Sequence, residues 1–274
     1  SRSCALHVTY MELNPATAGP GTGMGSHAEE PGKPGYTPEG AAAAQHANIN
    51  FVDPAGSMLA WLGTFYHRLP LLNPHLEDIG VGAADAATVC LVQASPKVSP
   101  SPAYEAVLWP PRDGTDVPAV FNPAGEYPDP VPQGGCQKCG YPITVTFYDA
   151  FPSAQKKVCD VIAMLLGPDG KEVAAHVAAP ETPATSFDHQ VHETICIIPA
   201  APLIAGGRYK VEVIAMVNGQ PFNAEWSFTV RSGGQRRHSG SRRHSGSHRR
   251  RSNPHAHQPA RPHLPHAAQQ QQHR

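Results

Sequence analysis

A chain of 274 residues with 40 % hydrophobic content can fill the core of one or two domains, while its 30 prolines and 25 glycines exclude a plain helical bundle. No apolar run approaches the ~20 residues of a membrane-spanning helix. The net charge of −1 hides a division: residues 231–274 hold ten Arg, eight His and no acid, leaving 11 of the 21 Lys and Arg against all 22 acids in residues 1–230.

The chain opens Ser1-Arg2-Ser3-Cys4 without a Met or an apolar leader. The expectation is a removed leader or a start inside a longer gene. Residues 3–13 read as part of a helix that has lost its cap and its upstream partner, stopped at Asn14-Pro15. Gly- and Pro-rich sequence follows to Gly35. Thr37-Pro38-Glu39-Gly40 then opens a helix over residues 41–49, with Thr at the cap, Pro at the first helical position and a carboxylate in the first turn. Asp53-Pro54 starts another, whose Met58, Leu59, Leu62 and Phe65 recur at helical spacing, and Pro70 closes it. Ile79-Gly80-Val81-Gly82 and residues 88–92 read as a hairpin. Residues 96–142 are extended connecting chain, docked in part through aromatics such as Trp109 and Tyr127.

From residue 141 the pattern changes to period-two alternation, in 143–147, 209–213 and 226–230. Gly167-Pro168-Asp169-Gly170 and Asn218-Gly219 supply turns between these runs. Short strands at such intervals imply an antiparallel sandwich of immunoglobulin type, with Trp226 and Phe228 facing its core. The ending resembles bacterial Ig-like modules that serve as spacers. Residues 231–274, with the repeat Arg-Arg-His-Ser-Gly-Ser at 236–241 and 242–247, are too polar to fold alone. Their arginines would attract polyanions weakly, in a salt-dependent way.

The six cysteines are Cys4, Cys90, Cys136, Cys139, Cys159 and Cys196. They are too few and scattered for a disulfide scaffold, and one or two bridges suit an exported protein. Cys136-Gln137-Lys138-Cys139 lacks the second Cys pair of a zinc site and sits in loop sequence. A structural disulfide, local or long-range, is the expectation there, while Cys159 and Cys196 are either bridged or buried.

Several motifs together resemble the CAP superfamily of cysteine-rich secretory, antigen 5 and pathogenesis-related proteins, over residues 3–95. His27 stands where that family has a histidine after its first helix. Glu39 falls near its Gly-Glu-Asn segment, and Tyr66-His67-Arg68 is similar to its Gly-His-aromatic motif. His67 precedes Ile79-Gly80-Val81-Gly82 at the family's spacing, and Trp61-Leu62-Gly63-Thr64 resembles its Trp-Tyr-x-Glu helix. The departures are Thr64 in place of the second glutamate, Pro38-Glu39-Gly40 in place of Gly-Glu-Asn, and Asn73 in place of a tryptophan.

The resemblance implies a divergent, N-terminally truncated α/β/α three-layer sandwich over residues 1–97. A Pro-rich linker (98–140), an Ig-like sandwich (141–230) and a disordered tail (231–274) would follow, an α+β chain in all. It further implies a binding cleft of His27, Glu39, Thr64 and His67, in which His27 and His67 hold zinc or another divalent metal. Glu29 and Glu30 are expected as solvated loop charges, either able to replace the missing carboxylate. The function implied is a secreted or envelope-associated binding protein for lipid, sterol, carbohydrate or protein. The alternatives are a metal-dependent hydrolase or peptidase with Glu39 as base, and a structural spacer whose tail binds polyanions.

Overall fold

The computed structural model describes residues 1–76, 78–84, 89–93, 106–126, 128–131, 135–148, 156–184 and 193–233. These residues form a mixed α/β unit with a few short helices and three β-sheets. The basic tail from Gly234 onward lies outside the described residues, as does Tyr127.

Helix α1 (Arg2–Leu13) does have a cap within the chain: Ser1 accepts a hydrogen bond from the Cys4 N–H. Asn14-Pro15 ends it, and one further turn, α2 (Pro15–Ala18), starts at once because Pro suits a first helical position. Helix α3 (Pro38–Ala44) is capped as its sequence dictates, with Thr37 Oγ1 accepting from the Gly40 N–H at 2.9 Å. It stops at Ala44 rather than at 49, because Ala47–Asn50 is strand β1. Pairing with a distant strand overrides the local helical preference there.

Helix α4 (Pro54–Leu62) begins at Asp53, whose carboxylate accepts from the Gly56 N–H at 2.9 Å. Its end is Gly63, not Pro70. Pro70 lies inside α5 (Arg68–Leu71), where the first turn has no intrahelical use for an N–H and so tolerates proline. Strands β2 (Ile79–Ala83) and β3 (Val89–Gln93) pair antiparallel as expected, and β1 joins the other side of β3, giving the order β1-β3-β2. Helix α1 crosses β2 so closely that a Cβ on Gly82 would stand 2.5 Å from the Cys4 carbonyl carbon.

Two stretches of the segment expected to be a connection are strands: β4 (Val107–Trp109) and β5 (Gly114–Val117). The remaining strands are β6 (Ile143–Thr146), β7 (Val158–Leu166), β8 (Ala175–Ala178), β9 (Thr194–Pro199), β10 (Arg208–Val217) and β11 (Gln220–Val230). They form two four-stranded sheets, ordered β5-β11-β10-β7 and β4-β6-β9-β8. The first is mixed, since β5 runs parallel to β11, and the second is antiparallel.

One apolar core draws on both sheets, including Ile143, Ile195, Val211, Trp226 and Phe228. Trp226 and Phe228 are buried on one side of β11, as alternation requires. The β10–β11 turn uses Asn218 and Gly219 at φ 52° and 75°, the left-handed pair of a type I′ hairpin. Aromatics do dock the segment before β6: the indole N–H of Trp109 donates to Tyr141 Oη, and that of Trp226 to the Pro110 carbonyl, both at 2.9 Å.

Candidate functional site

The segment from Leu62 to Leu69 carries Thr64 and His67, and groups from far along the chain hold it in place. Tyr141 Oη donates to the Leu62 carbonyl at 2.7 Å, and Arg68 Nη1 donates to the Pro142 carbonyl at 2.7 Å. Tyr148 Oη donates to the Leu69 carbonyl. The strongest anchor is Glu126, whose side chain is fully buried. It accepts from the backbone N–H of Phe65 at 2.8 Å, Tyr66 at 2.5 Å and His67 at 3.2 Å, and from His67 Nδ1 at 3.1 Å. Burying a carboxylate is unfavourable without such compensation, and four donors supply it.

An ionised carboxylate only accepts, so Nδ1 of His67 carries a proton, and a neutral ring then has its lone pair at Nε2. His27 repeats the arrangement with a different acceptor: its Nδ1 faces the Ala44 carbonyl at 3.0 Å. A carbonyl cannot donate, so His27 also presents its lone pair at Nε2. Neither Nε2 bonds a described residue. Burial holds His27 below the ordinary imidazole pKa, the Ala44 bond opposes this, and positive charge on His67 or His7 lowers it further.

A third histidine serves the scaffold. His7 and Glu29 meet at 2.9 Å with both side chains fully buried. His7 Nε2 faces the Ser26 carbonyl at 2.8 Å, and the second oxygen of Glu29 accepts from the Thr37 N–H at 3.0 Å. Glu29 is thus not the solvated loop charge expected of it. It ties α1 to the start of α3, and its neighbours in sequence give no sign of that. Glu30 does face solvent, 3.9 Å from Lys33.

Thr64 and His67 line one cleft of about 370 Å³, bounded by β1, α4 and residues 118–125. Thr64 Oγ1 donates to the Trp61 carbonyl. Glu39 is about half exposed and pairs with Arg2 at 3.5 Å; the carboxylate bonded to His67 is Glu126 instead. Sequence reasoning missed Glu126 because it lies 59 residues beyond His67, inside Pro-rich sequence with no local motif. Among the described residues no group of three or more His, Cys, Asp or Glu could hold a metal ion. Of the four residues expected in one cleft, Thr64 and His67 are among its lining residues, and His27 and Glu39 are not among the described residues that line it.

Cys136 and Cys139 form a local disulfide, one of the two expected forms. Cys196 is buried and Cys159 half-buried, and neither forms a disulfide with a described residue. Arg68 is wholly buried against the Tyr141 ring, 4.8 Å from its centre, and burial lowers its pKa. Among the described residues no helix is long and apolar enough to cross a membrane. No protein-family model matches the chain, and no match was found among curated proteins.

Proposed function

We propose that the chain is a divergent CAP-superfamily domain, an α/β/α sandwich, joined to an Ig-like module. In this reading it is a secreted or envelope-associated binding protein with a divalent-metal position at His27 and His67. The observation that carries the reading is the matched state of the two imidazoles, each with Nδ1 held by a fixed acceptor and an Nε2 lone pair left over. A hydrogen bond at the second nitrogen orients a ligating histidine and raises its basicity. Imidazole suits zinc and related ions, and water or a bound ligand would complete the coordination.

Binding is favoured over hydrolysis by the state of the carboxylates. A general base must be free to take a proton. Glu126 already accepts from four donors, and Glu39 is not among the residues lining the cleft beside His67. The module after residue 141 is more than a spacer in this reading, since Tyr141, Pro142 and Tyr148 hold the His67 segment. The basic tail adds weak, salt-sensitive polyanion binding.

Calorimetric titration of the full chain with zinc chloride tests the metal position. One site is expected, lost in His27→Ala and in His67→Ala, and weakened about 10- to 100-fold in Glu126→Gln. Unchanged zinc affinity in both histidine variants would remove the metal from the reading.

A further inference from the structure

The cleft beside His67 is bounded on one side by Ile49 and Asn50 of β1, the edge strand of its sheet. An edge strand carries peptide groups that its single neighbour cannot pair. The backbones of Ile49 and Asn50 bond no described residue outside the β1–β3 ladder. In an antiparallel pair the outward N–H and C=O belong to one of these two adjacent residues, and they have no partner among the described residues beside this cavity.

Among the described residues no Asp, Glu, Lys or Arg lines that cavity. A charged ligand would lose its hydration there without an opposite charge to replace it. The polar groups present are neutral donors and acceptors. Asn50 Oδ1 is taken by the Phe51 N–H, which leaves its NH₂ to donate. The Asn122 carboxamide offers both functions, and Thr64 and His67 add acceptors. Trp61 and Phe121 supply an apolar floor.

We infer that the cleft binds an extended, uncharged peptide segment that pairs with the free edge of β1 and seats one apolar side chain against Trp61 and Phe121. The inference rests on the reading of the chain as a binding protein, but not on the metal. A peptide brings a donor and an acceptor in the fixed alternation that an edge strand requires. A hydrocarbon chain would offer nothing to the Asn50 NH₂ or to the remaining acceptor capacity of Thr64. A neutral sugar stacks on open ring faces, whereas Trp61 and Phe121 are only 3 % and 4 % exposed.

The test uses the full chain labelled with ¹⁵N, in EDTA, titrated with N-acetyl-Ala-Leu-Ala-methylamide. Trp109 and Trp226 have their indole N–H bonded elsewhere, so Trp61 is the reporter inside the cleft. Its indole resonance should move saturably. A peptide N-methylated at every backbone nitrogen should bind at least about fivefold more weakly, the factor for one lost hydrogen bond. Val120→Arg places a long cation on the cleft wall at a residue 48 % exposed; it should abolish the shift with the unfolding midpoint unchanged. The inference is overturned if the Trp61 resonance stays fixed or the N-methylated peptide binds equally well. It is also overturned if methyl glucoside or octanamide moves that resonance at equal or lower concentration. Peptide binding in EDTA without any zinc site leaves this inference standing, whereas a zinc site without peptide binding refutes this inference alone.

Discussion

Replacing Glu126 separates a supporting carboxylate from a merely neighbouring one. Its first oxygen accepts from the Tyr66 N–H, the His67 N–H and His67 Nδ1, and its second from the Phe65 N–H. Glutamine keeps the shape and one acceptor oxygen, but its NH₂ must then confront a backbone N–H. One bond is lost and the other bonds fall from charged to neutral strength, a change from about 1.5–3 to about 1 kcal/mol each. Glu126→Gln should therefore destabilise the fold by about 3 kcal/mol or more. Glu126→Ala leaves all four buried donors without an acceptor and should cost about 3–5 kcal/mol. In urea unfolding these losses lower the midpoint by on the order of 1 M or more. Glu39→Gln is the control, an exposed pair worth about 0–1 kcal/mol. Midpoints of both Glu126 variants within error of the wild type would refute the claim that this carboxylate holds the His67 segment.

The buried pair of His7 and Glu29 should behave as a unit. Either single alanine variant is expected to lose about 3–5 kcal/mol, and the double variant clearly less than the sum, as urea unfolding of the four proteins would read; strict additivity would deny the coupling. His27 should make stability depend on pH. Its folded pKa lies below the ordinary 6.5, burial being the largest cause, so its contribution is whole above about 6.5 and is lost as the pH falls from there through the folded value. The urea midpoint of His27→Gln should fall less between about pH 7 and pH 5 than that of the wild type; parallel curves would refute the assignment.

What the sequence by itself determined is what neighbouring residues settle among themselves. Thr37 and Asp53 cap their helices because each side chain reaches an N–H only three residues away. Asn218-Gly219 turns the chain because these two residues tolerate the left-handed backbone, and alternation in β11 puts Trp226 and Phe228 in the core. The cleft expected of His27, Glu39, Thr64 and His67 came from a family resemblance; Thr64 and His67 line one cleft, and His27 and Glu39 are not among its described lining residues. Long-range pairing was not legible. Ala47–Asn50 leaves the helix that its alanines favour because β3 pairs with it, and residues 107–117 become strands only where β6 and β11 accept them. Glu29 looks like any loop carboxylate until α1 brings His7 against it. Glu126 acquires its role only when folding brings it under His67 from 59 residues away. Hydrogen bonds and burial act through space, so a partner that distant leaves no trace in the local pattern of residues, and the tertiary structure alone decides it.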